Sequence, residues 1–132
     1  MSGGAIRSFE DLECWKASRD VRTFVAEEVV PVLPRDEKYR LGDQILRAAR
    51  SITANIAEGY GRFHYADNAK FISNSRGSAW EVLDHLITAQ DEHLISPELA
   101  QAGRERIHRC LKLLNGYMSF LKHKAAPPKT NN

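Results

Sequence analysis

The chain has 132 residues, 42% of them hydrophobic, a formal net charge of +2 and two cysteines, a composition that fits one domain around one core. No apolar run approaches the roughly 20 residues that cross a bilayer, and two cysteines are too few for a disulfide scaffold. Met1-Ser2-Gly3-Gly4 leads into no signal-peptide core, so a soluble, cytoplasmic protein is expected.

Four helical segments follow one another, with no strand pattern and no Gly/Ser-rich linker. The first opens at Ser8-x-x-Asp11, a capping pattern, and carries Phe9, Leu12, Trp15, Val21, Phe24, Val25 and Val29 before Pro31 and Pro34 stop it. The second is expected from about Glu37 to Glu58, with Gly59 as a left-handed cap. The third, from about Tyr65 to Leu94, places Phe71, Ser75, Ala79, Val82, Leu86 and Ala89 at three- and four-residue spacing. Gly77 inside it costs about 1 kcal/mol against alanine, which close packing would explain. The fourth begins at Ser96-Pro97-Glu98, an N-cap followed by proline, with Ile107, Cys110, Leu111, Leu114, Met118 and Leu121 as its core stripe. Residues 1–8 are expected as a flexible N-terminus, 9–124 as the bundle domain and 125–132, with Pro127, Pro128 and terminal asparagines, as a disordered tail. Short connections imply an all-α, antiparallel up-down-up-down four-helix bundle.

The second segment is the most informative. At about 100° per residue, Leu41, Ile45, Ala49, Ile52 and Ile56 form one apolar stripe. Beside it runs a polar row of Gln44, Ser51, Asn55 and Glu58, whose side chains can bond backbone or a facing helix. Outside that row lie Arg40, Arg47 and Arg50, and just past the helix Arg62. Apolar residues left over from the core stripes, Leu46, Leu113 and Phe120, suggest self-association, although wide stripes would also account for them.

The run Gln44 to Gly59 with Gly61-Arg62, the opening Phe9-Glu10-Asp11-Leu12 with Trp15, Pro34, and Gly77-Ser78-Ala79-Trp80-Glu81 in the third helix resemble the four-helix-bundle protein family first met in intervening sequences of bacterial 23S rRNA genes. The resemblance covers about Phe9 to Leu121. Arg50 and Thr53 stand where that family often has a small or aliphatic residue and a proline. The resemblance implies a homo-oligomer, commonly a ring of five. It also implies a nucleic-acid role, and, through a related branch that serves diversity-generating retroelements, a possible reverse-transcriptase partner.

Charge is unevenly placed. Phe9 to Val32 carries −3, Arg35 to Arg62 +2, His64 to His93 −3 and Pro97 to Asn132 +5. Such alternation could build a basic face for polyanions or pair acidic with basic helices. Arg104, Arg106, Arg109 and Lys112 on the fourth helix join Arg40, Arg47, Arg50 and Arg62 as candidates for phosphate, because guanidinium suits bidentate contact with it. Ion pairs with Glu58, Asp43 and the acidic helices are the competing role. Tyr60-Gly61-Arg62-Phe63-His64-Tyr65 interleaves aromatics with cations in a turn, a pattern that could stack bases or simply seal the bundle end.

Catalytic chemistry finds little support. The one Glu-x-x-His motif, Glu105 to His108, faces away from Leu111 and Leu114, whereas a di-metal bundle needs two such motifs and two further glutamates aimed inward. Glu10-x-x-Glu13 and Glu81-x-x-Asp84 superficially match the magnesium-binding pairs of all-α nucleotide pyrophosphohydrolases, at the wrong separation. His85, with Glu81 one turn away, reads as a structural histidine. Cys14 and Cys110 read as buried free thiols. No phosphate loop or nucleophile triad is present. The sequence therefore leads to a non-enzymatic homo-oligomeric bundle that binds nucleic acid, RNA foremost, with no metal or cofactor. A protein-interaction scaffold is the alternative, and the magnesium hydrolase a distant third.

Overall fold

The computed structural model describes residues 5–127, and those residues contain helices and no strand. The four long helices are α1 (Glu13–Phe24), α2 (Leu41–Tyr60), α3 (Tyr65–Asp91) and α4 (Pro97–Ala125). Ala125 is the last helical residue; positions 1–4 and 128–132, the ends of the segments expected to be flexible, lie outside the described residues.

The Ser8/Asp11 pattern does cap, but it caps a short turn, Phe9–Asp11. Ser8 Oγ accepts the Glu10 N–H at 3.1 Å, and the Asp11 carboxylate accepts the N–H groups of Arg7 at 2.9 Å and Ser8 at 3.2 Å. Leu12 is extended, so α1 starts afresh at Glu13. Past Phe24 the chain widens into a π-helical stretch, Val25–Val29, whose two terminal valines are both buried, and tightens at Pro31.

The second segment departs from expectation at both ends. Arg35–Lys38 is a separate helical turn, and Arg40 adopts φ −117°, ψ −91°, so α2 begins at Leu41. At its other end Gly59 is helical and buried, and the flanking Gly61 has an ordinary right-handed φ of −75°. Gly59 is therefore no left-handed cap. Its lack of a side chain serves packing: a Cβ there would lie 2.6 Å from Asn68 Oδ1 and 2.8 Å from Phe71 Cβ. Left-handed backbone occurs instead at His93, φ 59°, which ends α3 at Asp91 and lets the Leu94 N–H reach the Ala89 carbonyl at 2.8 Å.

The core forms as the stripes require. Ile45, Ala49, Ile52 and Ile56 of α2 meet Val21 and Phe24, then Ala79, Val82 and Leu86 of α3, and Ile107, Cys110, Leu114 and Leu121 of α4. On α3 the register differs by one at its start. Ile72 is fully buried, while Phe71 is half-buried beneath the Arg62 guanidinium, 4.6 Å from its ring. Gly77 is exposed with nothing within 4 Å of where its Cβ would stand, so close packing inside this chain is not the reason for it. Gly103 fills that role, because a Cβ there would strike Leu86 Cδ1 at 2.5 Å.

Helix α1 packs on α2 and α4, and α3 packs on the same two. The two basic helices thus sit diagonally, separated by the acidic ones. Gly59 lies against Asn68, Ile52 against Ser75 and Ser51 against Ser78, so numbers fall along α2 as they rise along α3. The Ser75 hydroxyl donates to the Ile52 carbonyl at 2.8 Å in the fully buried part of this seam.

Candidate nucleic-acid surface

The polar row of α2 divides by depth. Gln44 is exposed. Ser51, half-buried, lies 2.9 Å from Ser78 Oγ and ties α2 to α3. Asn55 is half-buried and donates to the Ser51 carbonyl at 2.9 Å and the Ser51 hydroxyl at 3.0 Å, so it braces its own helix instead of bonding a neighbour. Glu58 pairs with Arg62 at 2.9 Å. On α3, the Glu81 carboxylate lies 3.2 Å from Nε2 of the mostly buried His85 ring.

The basic residues fall into two groups. Arg62 is held by Glu58 and stacks on Phe71. Arg106 reaches Asp20 at 3.5 Å, donates to the Ala102 carbonyl at 3.1 Å and lies 4.4 Å over the Phe24 ring, so it belongs to the α1–α4 seam. By contrast Arg40, Arg47, Arg50, Arg104, Arg109 and Lys112 make no ion pair among the described residues. Arg40, Arg47, Arg50, Arg109 and Lys112 are exposed, and Arg104 is half-buried. Arg47 and Arg50, one turn apart, form one outward patch on α2; Arg109 and Lys112 form another on α4. Within one chain the diagonal arrangement keeps these patches apart. Pairing between acidic and basic helices accounts for little of the charge, since Arg106–Asp20 is the single ion pair between helices among the described residues.

Apolar exposure is also partitioned. Leu46 and Leu113 are half-buried against the core, whereas Phe120 is 49% exposed. Trp80, on the outer face of α3 one turn from the exposed Gly77, is 48% exposed. No group of three or more His, Cys, Asp or Glu residues among the described residues is placed to hold a metal ion. Glu105 and His108 are both exposed. Cys14 and Cys110 are buried free thiols, with burial pushing Cys14 up to about 12 and Cys110 up to about 11. No described helix is long and apolar enough to cross a membrane.

Compared with known families, residues 10–116 match the family model described as 23S rRNA-intervening sequence protein. The chain belongs to that family. The match takes in α1, α2 and α3 whole and α4 through Gly116, including both unpaired basic patches, Ser51, Ser78 and Trp80, but not Phe120. A comparison with curated proteins found no match.

Three features of the surface have weak sequence signatures. Arg22, on the acidic first helix, donates across to Thr53 Oγ1 at 2.9 Å. Asn68, 7% exposed, donates to the Tyr117 hydroxyl at 3.2 Å, and its Oδ1 has no partner. Trp80 shares no core stripe, and it lies on the outer face with the exposed Gly77 and Asp84, one turn away on either side.

Proposed function

We propose that this family member is a non-enzymatic cytoplasmic bundle, up-down-up-down with antiparallel neighbours, that assembles into a cyclic homopentamer and binds nucleic acid, RNA foremost. The observation that carries the binding reading is the pair of patches, Arg47 with Arg50 and Arg109 with Lys112, which stand exposed without ion pairs while Arg62 and Arg106 are tied into the fold. Unpaired cations at one-turn spacing, three guanidinium groups and the Lys112 ammonium, suit contact with successive phosphates. Binding then follows from release of counterions condensed on the nucleic acid, with little reading of base sequence. One chain offers two small patches; a ring repeats them around its axis and multiplies the phosphate contacts.

Assembly is supported by two different apolar sites, Trp80 beside Gly77 on α3 and Phe120 near the end of α4. Unlike sites that meet head to tail generate a closed ring when the rotation closes. Those same aromatics favour a second reading, a protein-interaction scaffold in which the arginines do not meet nucleic acid. Titration of structured RNA at increasing salt separates the two: steep loss of affinity supports binding through the arginines, and no binding at low salt supports the scaffold.

A further inference from the structure

At the end of the bundle where α2 turns into α3, a pocket of about 330 Å³ opens between Tyr60, Phe63, His64, Tyr65, Asn68 and Tyr117. If these aromatics merely sealed the bundle end, they would be covered. Phe63 is 94% exposed and Tyr65 51% exposed, a costly display of ring surface on a turn that has no structural use for it. The Phe63 and His64 rings stand at 86° to each other, 5.0 Å apart, and Tyr117 is fixed from behind by Phe120, 6.1 Å away with planes 13° from parallel. The walls therefore offer ring faces.

The floor is polar and incompletely bonded. Asn68 Nδ2 donates to the Tyr117 oxygen, and the Tyr117 O–H finds no acceptor among the described residues. Burial holds the Tyr117 phenol above its ordinary range. Arg62 lines the same pocket with its guanidinium held by Glu58 at 2.9 Å, so the pocket's grip is on a ring and not on a phosphate.

Exposed ring faces and a hydroxyl donor on the floor match one class of guest. We infer that this pocket receives an unpaired nucleobase of single-stranded RNA, stacked against Phe63 and Tyr65 and hydrogen-bonded at its edge by Tyr117. The inference rests on the nucleic-acid reading above, and it adds a preference for single-stranded segments that the arginine patches alone would not give. Base stacking on exposed aromatics is tolerant of sequence, and the Tyr117 donor favours a base edge with an acceptor nitrogen or oxygen.

The test uses the full chain and two probes. Adenosine, which lacks phosphate, is titrated while amide resonances are followed, and a single-stranded oligoadenylate and an RNA duplex of equal length are compared for affinity. Shifts by adenosine confined to residues around Phe63, Tyr65, Asn68 and Tyr117 are expected. Phe63→Ala with Tyr65→Ala, both at exposed positions, should abolish them and weaken oligoadenylate binding at least about fivefold while duplex affinity holds. Tyr117→Phe should weaken adenosine without moving the stacking residues' own signals. Absence of adenosine shifts alongside salt-sensitive RNA binding would overturn the pocket and leave the arginine surface intact. Pocket shifts in a chain that binds no duplex would support the pocket and count against that surface. Shifts caused by N-acetyltryptophanamide but not by adenosine would overturn the inference in favour of an aromatic side chain from a protein.

Discussion

Asn68 Oδ1 occupies the space that a side chain at Gly59 would need, 2.6 Å from the position of its Cβ. Gly59→Ala gains up to about 1 kcal/mol of helix propensity, yet it must displace a buried amide and Phe71, so a net loss of about 1 to 3 kcal/mol is expected. Gly77→Ala meets nothing within 4 Å and should stabilise the single chain by up to about 1 kcal/mol. Urea denaturation of both variants checks the pair; the same sign of change in each would contradict this account of the two glycines.

The α2–α3 seam is closed by the Ser51 and Ser78 hydroxyls, 2.9 Å apart. Ser78→Ala should cost about 1 kcal/mol by leaving Ser51 short of a partner. Asn55→Leu should cost a similar amount, about 1 kcal/mol, because Asn55 bonds its own helix and its removal orphans no group on α3. A double-mutant cycle on Ser51→Ala and Ser78→Ala should return a coupling of at least about 0.5 kcal/mol. Additive losses would mean the hydroxyls do not bond.

Cys14 and Cys110 meet around Ser18, whose hydroxyl donates to the Cys14 carbonyl at 2.6 Å and lies 3.3 Å from Cys110 Sγ. Burial raises the thiols from an ordinary 9.0 to about 12 and about 11. In the unfolded chain they lose protons from pH 9 upward, while in the folded chain they keep them. Their contribution is therefore fully present below pH 9 and is lost as pH rises from 9 toward 11, with a slope approaching about 1.4 kcal/mol per pH unit for each thiol. Stability measured from pH 8 to 11 should fall more steeply in the parent than in Cys14→Ala with Cys110→Ala. Equal slopes would show that the thiols are accessible or already ionised.

Much of the fold is legible in the sequence because helix starts and core stripes depend on local chemistry. Ser96 caps α4 through the Leu99 N–H at 3.1 Å with Pro97 at the first helical position, as its side chain dictates, and the three- and four-residue spacing of Ile45, Ala49, Ile52 and Ile56 places all four in the core. Gly59 was misread because a glycine at a helix end and a glycine under a neighbouring helix look alike until Asn68 is seen beside it. Charge runs along the chain show which helices are basic, but not that α2 and α4 lie on a diagonal, nor that Arg106 is occupied by Asp20 and Phe24. Those depend on which helices pack together. Arg22 is the sharpest case: by sequence it is a surface cation of an acidic helix, yet its guanidinium reaches Thr53.

Assembly should depend on the aromatics that the bundle leaves uncovered. Trp80→Glu and Phe120→Glu each place a charge on a half-exposed position, so helicity by circular dichroism should persist while light scattering shows a fall from the pentamer mass. A parent that scatters as a monomer at micromolar concentration would contradict the ring. So would a pentamer that both variants leave intact.

The most direct test of the central claim is the salt dependence of affinity for a structured RNA in three proteins. The parent should bind with a steep negative slope of logarithmic affinity against logarithmic salt, about 0.9 for each phosphate neutralised on a duplex. Arg47→Glu with Arg109→Glu removes one cation from each unpaired patch and should abolish binding or flatten that slope. As a control, Arg35→Glu with Arg76→Glu, both exposed and without ion pairs among the described residues, changes the net charge equally and should bind nearly as the parent does. No RNA binding by the parent, or equal weakening by the two double variants, would contradict a nucleic-acid surface at these arginines.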